Sequence, residues 1–227
     1  MENISTYLPI VFIVITVLTV LQFYKASKNH TFLFVIILWM VAQVILAKSG
    51  FFLDEVARPP RFVFLVMPPM LVIIGLCLTH SGKKFLDKLD IKQITLLHTV
   101  RIPVEIVLYF LFIAGVIPEI MTFDGSNFDI LIGLTAPIIY YFAFIRQSLS
   151  QRAMIIWNFV GLALLANIVV IAILSSKTPF QQFAFDQPNI AVASFPFNWL
   201  PSVVVPIVLL SHIATLRQLY NGKKATN

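Results

Sequence analysis

Residues 154–174 read MIIWNFVGLALLANIVVIAIL, twenty-one residues in succession without a charged side chain. A helix of about 20 apolar residues is long enough to cross the hydrocarbon core of a bilayer. The stretch is continuously apolar and does not alternate between polar and apolar positions, as a strand of a transmembrane barrel does. It therefore predicts a membrane-spanning helix.

Six further stretches of the 227-residue chain have the same character. Together with residues 154–174 they predict seven transmembrane helices, the others covering residues 7–23, 31–47, 62–78, 94–117, 128–145 and 200–216. Composition agrees, because 59% of the residues are hydrophobic and only 11% are charged, against about 25% charged in an average soluble domain. We predict an all-α, polytopic membrane protein in which residues 1–227 form a single domain.

Basic residues predict the orientation of these helices. Eleven of the sixteen Lys and Arg fall in alternate inter-helix segments, namely Lys25, Lys28, Lys83, Lys84, Lys88, Lys92, Arg146, Arg152, Arg217, Lys223 and Lys224. Four fall in the opposite segments, namely Lys48, Arg58, Arg61 and Lys177. Cytoplasmic loops carry the excess of Lys and Arg, which places the C-terminus in the cytoplasm and the N-terminus outside. Because the net charge of +6 lies in loops, it indicates contact with membrane lipids and not with nucleic acid.

One predicted span carries charged side chains. His98, Arg101 and Glu105 stand at positions i, i+3 and i+7 of residues 94–117 and so share one face of a helix. Each buried charge costs roughly 2.5–3.5 kcal/mol at mid-membrane, so the stripe should face protein or trapped water. One interpretation is a structural ion pair between Arg101 and Glu105, which are four residues apart. Pro103 has no backbone N–H, so the carbonyl of Thr99 should lack its helical hydrogen bond.

A polar site is the alternative interpretation. Counted from the predicted helix ends, His98, Asn158 and His212 each lie about 6 Å deep from the same side, and Arg101 and Glu105 lie about 10 and 16 Å deep. Inward polar groups at a similar depth tend to line a common cavity.

We therefore predict a ligand-binding site formed by His98, Arg101, Glu105, Asn158 and His212 for a small polar or anionic ligand that is bound or transported. Arg101 would attract charge, Glu105 would balance it or carry a proton, and the histidines would donate hydrogen bonds or relay protons. The competing hypotheses are an intramembrane enzyme with Glu105 or His98 as general base, acting on a lipid-phase substrate, and a purely structural protein.

Two loops are predicted on the outer side. The first, residues 119–129, contains Asp124, Asn127 and Asp129, whose oxygen atoms allow a calcium site as a minor alternative. The second, residues 175–199, has five phenylalanines and two charges. Such a segment should lie against the membrane face, as an interfacial aromatic belt or as a lid.

Cofactor chemistry finds little support in the sequence. No predicted span contains a lysine, which excludes a retinal Schiff base. His98 and His212 could serve as the axial ligands of a haem, as a minor alternative. HExxH, GxSxG and Walker motifs are missing from the sequence, and Cys77 is the single cysteine. We predict no cofactor and no metal.

Several sequence blocks resemble a known family. They are HTVRIPVE at 98–105, MTFDGSNFDILIGLTAPIIYY at 121–141, PFQQFAFDQPNIAV at 179–192 and FPFNWLP at 195–201. These blocks resemble a family of uncharacterised bacterial multi-span membrane proteins. The resemblance implies a location in the bacterial plasma (inner) membrane and implies no activity.

Overall fold

The computed structural model describes residues 5–54 and 57–222, and this part of the chain is helical with no β-strand. A 3₁₀ turn at His98–Val100 joins α5 to α6, and π-helical turns extend α7 through Tyr141–Ile145 and precede α9 at Leu200–Val204. The α-helices are α1 (Tyr7–Ser27), α2 (His30–Lys48), α3 (Val63–Leu78), α4 (His80–Lys88), α5 (Ile91–Leu97), α6 (Arg101–Ile113), α7 (Ile130–Tyr140), α8 (Gln151–Leu174) and α9 (Val205–Tyr220).

Five helical segments are long and apolar enough to cross a membrane, namely Tyr7–Ser27, His30–Lys48, Ile91–Ile113, Gln151–Leu174 and Leu200–Tyr220. A sixth arises if α3 and α4, which meet at 94°, count as one bent span. Residues Ile130–Ile145 are apolar but shorter, about 24 Å long at 1.5 Å per residue. The all-helical prediction is thus confirmed for residues 5–54 and 57–222, which contain five or six helices that could cross a membrane, against the seven predicted.

The outer surface of the bundle is apolar. Large aliphatic side chains on different helices are exposed, among them Leu18, Leu38, Leu71, Ile113 and Ile156. Soluble monomers rarely expose contiguous apolar surface on this scale. A helical bundle with such an exterior is suited to lipid surroundings.

Hydrogen bonds group the inter-helix segments at two ends of the bundle. At one end Asp90 N–H donates to the Ala26 carbonyl at 3.0 Å, and Gln218 Nε2 donates to the Leu86 carbonyl at 2.8 Å. Residues 25–29, 79–93, 146–152 and 217–222 are the segments that carry most of the basic residues, and we call their end the basic end. Lys223 and Lys224 lie outside the described residues. At the other end Ile190 N–H donates to the Val116 carbonyl at 3.0 Å.

Helix α9 is the central helix. Of the apolar stretch within Leu200–Tyr220, 67% is buried inside the protein, against 17% for α2 at the periphery. It packs against α5 and α8. Side chains on these three helices can therefore meet in the interior.

The long loop of residues 175–199 is hydrogen-bonded to helix α2. Asn198 Nδ2 donates to the Gln43 carbonyl at 3.0 Å, and Trp199 Nε1 donates to the Met40 carbonyl at 3.2 Å. Phe197 is buried, whereas Phe185 is 70% exposed. The loop therefore packs on the bundle and keeps Phe185 exposed, and its placement against a membrane face stays a prediction.

The loop of residues 119–129 enters the bundle. Thr122 and Asn127 are fully buried, and Asp129 is 5% exposed at the start of α7. These polar residues were expected in an outer loop, and the structure places Asn127 and Asp129 in the interior.

Candidate functional site

Arg101 lies at the centre of a buried polar cluster. Its side chain is 3% exposed, and its Nη1 forms a salt bridge with Asp129 Oδ1. Nη2 lies 2.8 Å from His212 Nε2, and Nη1 also approaches the Gly161 carbonyl at 3.5 Å. The structure begins the helical segment at Ile91, so Arg101 lies about 15 Å along it.

The contacts of His212 define its tautomer. A guanidinium only donates hydrogen bonds, so Nε2 of His212 must accept from Arg101. The ring proton then lies on Nδ1, which donates to Asn158 Oδ1 at 2.8 Å. Asn158 Nδ2 donates in turn to the Met154 carbonyl at 2.8 Å. A continuous chain of hydrogen bonds thus runs from the guanidinium through His212 to α8.

His98 stands beside this chain without joining it. Its ring stacks on His212 with centroids 3.9 Å apart and meets the Trp157 ring edge to face at 5.4 Å. The residue is fully buried, yet neither of its ring nitrogens has a hydrogen-bond partner among the described residues. Arg101 Nε is also buried and has no hydrogen-bond partner among the described residues. Buried polar atoms without partners are costly and rare in native proteins, so these three atoms mark where the cluster can accept a further polar group.

Glu105 forms the second half of the cluster. Both of its carboxyl oxygens lie 2.7 Å from Asn127 Nδ2. Asn127 Nδ2 also approaches the Met121 carbonyl at 3.0 Å, and Asn127 Oδ1 accepts from the Asp129 backbone N–H at 3.1 Å. Arg101 and Glu105 therefore do not form the ion pair that their spacing suggested. The loop of residues 119–129 brings Asp129 to Arg101 and Asn127 to Glu105.

Two glycines allow this close approach. A Cβ on Gly133 of α7 would lie 3.2 Å from the Arg101 Cβ, so the small residue brings Asp129 within reach of Arg101. A Cβ on Gly161 of α8 would lie 2.6 Å from His212 Nε2, where no real side-chain atom fits. Gly161 therefore leaves room for the His212 ring.

The structure brings together all five residues predicted from the sequence. His212 contacts three of the others: it accepts from Arg101, donates to Asn158 and stacks on His98. Glu105 joins them through the loop segment that holds Asn127 and Asp129. Sequence reasoning missed four participants, namely Asn127, Asp129, Trp157 and Gly161. One signal for Gly161 was available, since it follows Asn158 by three residues and so shares its helix face.

The geometry suits neither of the minor alternatives. Haem ligation needs the two imidazoles on opposite sides of an iron, whereas the His98 and His212 rings are stacked and both nitrogens of His212 are engaged. For calcium, Asn127 and Asp129 are occupied by Glu105 and Arg101. Among residues 5–54 and 57–222, no three His, Cys, Asp or Glu are placed to hold a metal ion.

Comparison with known proteins places the chain in a family without assigning an activity. No curated protein and no solved structure is significantly similar to it. Residues 60–220 match the family described as Domain of unknown function (DUF8737), and this range includes every residue of the polar cluster. Because the match covers well over half of the 227 residues, the chain belongs to that family.

Proposed function

We propose that the chain binds a small polar ligand inside the membrane, at the cluster around His98 and Arg101, as a step in transporting it. The observation that carries this proposal is the fully buried His98 ring, whose two nitrogens lack partners beside an Arg101 Nε that also lacks one. Ionisable groups buried at membrane depth commonly mark substrate pathways. Burial of the cluster supports a closed state in which the ligand is shielded from both sides.

The charge of the ligand follows from the partners of Arg101. Asp129 already offsets the guanidinium charge, so an anion would have to displace Asp129 to bind there. Nε of Arg101 and one nitrogen of His98 can donate hydrogen bonds to a ligand without any such displacement. This arrangement favours an uncharged polar ligand with acceptor oxygen or nitrogen atoms over the anionic ligand also considered.

The topology belongs to the same proposal. We assign seven crossings, the fifth being Ile130–Ile145 completed by the entering loop, in a bacterial inner membrane. The basic end would face the cytoplasm, because Lys and Arg are concentrated there. Grouping of the basic segments at one end of the bundle supports this assignment.

An intramembrane enzyme is the competing function. Glu105 is poorly placed as its general base, because both carboxyl oxygens already accept from Asn127. His98 has free nitrogens and would have to serve instead. No specific observation favours turnover over binding.

Native mass spectrometry of the chain released directly from membranes tests the proposal through a His98→Phe variant. Phenylalanine keeps a planar ring between His212 and Trp157 and removes both nitrogens. We expect a constant extra mass on the wild-type protein and its loss in His98→Phe, with the thermal midpoint little changed. Arg101→Ala is a poorer variant for this purpose, because it leaves Asp129 buried without its cation.

A matched control is His80→Phe, which replaces an exposed histidine at the basic end and should keep the extra mass. A second variant, His98→Leu, guards against misfolding caused by the larger phenylalanine ring. Wild-type protein without any bound mass, or a folded His98→Phe protein with the same mass, would contradict ligand binding at this cluster.

A further inference from the structure

A second candidate site lies on the side of the bundle, away from the polar cluster. A groove of about 700 Å³ runs between α1 and the α5–α6 segment. We call it the α1–α5 groove and define it by Leu18, Gln22 and Lys25 on one wall and Leu96, Val100 and Pro103 on the other. The other cavities described in the structure measure about 60–90 Å³.

The groove changes character along its length. Its deeper part is formed by Ile15, Leu18 and Val100, whereas Gln22 and Lys25 stand at the basic end. The three hydroxyl groups along the walls already have partners: Thr19 donates to the Ile15 carbonyl at 2.7 Å, Thr99 donates to the Leu96 carbonyl at 2.9 Å, and the Tyr24 hydroxyl lies 3.1 Å from His30 Nδ1. An occupant must therefore be apolar along most of its length and polar at one end.

The length of the groove matches one leaflet. Lys25 and Ile15 are ten residues apart on α1, which is about 15 Å along the helix axis. Half of a hydrocarbon core of about 30 Å has the same depth. An acyl chain whose headgroup lies at Lys25 would thus reach to the bilayer midplane.

The positive charge at the basic end favours an anionic lipid headgroup. Lys25 is exposed and has no ion pair among residues 5–54 and 57–222. Lys28, Lys83, Lys84 and Lys88 lie in the same basic end, and this excess of cations attracts anionic headgroups. A second copy of the chain in the same membrane orientation would instead bring its own basic end against this one, which like charges disfavour.

We propose that the α1–α5 groove binds an anionic phospholipid, with the phosphate at Lys25 and an acyl chain along Leu18 and Val100. The groove and the ligand cluster share no residue, and His98 is fully buried whereas Lys25 is exposed.

Native mass spectrometry from nanodiscs tests this proposal, with equal amounts of phosphatidylglycerol and phosphatidylcholine carrying the same acyl chains. We expect the wild-type monomer to retain phosphatidylglycerol in preference. Lys25→Gln should reduce that preference about fivefold, since one lysine near a membrane surface is worth about that factor. Leu18→Trp, which fills the apolar part of the groove, should reduce the retention of both lipids.

The matched control is Lys28→Gln, also an exposed lysine, three residues further along, that does not line the groove. It should reduce the preference less than Lys25→Gln does. Equal retention of both lipids by wild-type protein would overturn the proposal, and so would an equal loss in Lys25→Gln and Lys28→Gln. A stable dimer without bound lipid would show that a second copy covers the groove.

Discussion

Replacing Asp129 with alanine is expected to lower the free energy of unfolding by about 3–5 kcal/mol, because it leaves the Arg101 guanidinium buried without its counter-charge. Burial makes the loss large, since Arg101 is 3% and Asp129 7% exposed at the side chain. Titration with a denaturing detergent, followed by tryptophan fluorescence, measures this change. Trp157, one of the three tryptophans, lies beside the cluster.

Two comparisons separate the ion pair from general damage to the loop. Asp124→Ala removes an exposed acidic residue from the same loop and should stay within about 0.5 kcal/mol of wild type. The double variant Arg101→Met with Asp129→Ala removes both charges, so its cost should fall well below the sum of the two single costs. Strictly additive costs would show that the two side chains do not interact in the folded protein.

Gly161→Ala is the second change with a large expected effect. Its new Cβ would lie 2.6 Å from His212 Nε2, so the imidazole must move and lose its hydrogen bond from Arg101. Overpacking of this kind typically costs about 1–3 kcal/mol, which the same unfolding titration detects. Adding His212→Ala to Gly161→Ala should relieve the clash, and the pair should cost less than the sum of the two single changes.

Gly75→Ala is the matched control for Gly161→Ala. Gly75 also lies within a helix, in α3, but a Cβ there meets no atom within 4 Å. The change should leave stability unaltered or raise it by about 0.4–1 kcal/mol, because alanine restricts the unfolded chain. An unchanged stability in Gly161→Ala as well would mean that His212 does not occupy the position described.

The helices were predictable because hydropathy and length determine them. Residues 154–174 lie within α8, and residues 200–216 lie within the segment Leu200–Tyr220. The observed helix ends differ from the predicted ones where a capping residue sets the first turn. The Asp90 carboxylate accepts hydrogen bonds from the N–H groups of Lys92 and Gln93, so α5 begins at Ile91 and not at Ile94. Pro103 was expected to free the carbonyl of Thr99. In the structure the 3₁₀ turn His98–Val100 lies just before this proline, and the backbone N–H of Arg101 bonds to the carbonyls of His98 and Thr99.

The partners of Arg101 were harder to predict. Helix periodicity finds neighbours three or four residues away, and so it pointed to Glu105. The actual carboxylate, Asp129, is 28 residues further along the chain and reaches Arg101 only because the preceding loop turns into the bundle. Hydropathy assigned that polar loop to the outer surface, since no local pattern distinguishes a solvated Asp from one that is buried against a distant cation.

The contact between His98 and His212 illustrates the same limit. Depth arithmetic placed both side chains in one layer, and the structure stacks their rings. Depth alone does not tell which faces of two helices meet. That depends on α9 being the central helix, which follows from packing among α5, α8 and α9.

The most direct test concerns the guanidinium of Arg101, shared between Asp129 and His212. We would record ¹⁵N spectra of histidine-labelled protein in nanodiscs, with the exposed His30 and His80 replaced by glutamine so that two residues contribute. In the His98→Phe variant the signals of His98 disappear, and those that remain belong to His212. The contact with Arg101 predicts that His212 carries its proton on Nδ1 and accepts a hydrogen bond at Nε2. A proton on Nε2 would contradict the contact and, with it, the cluster proposed to hold the ligand.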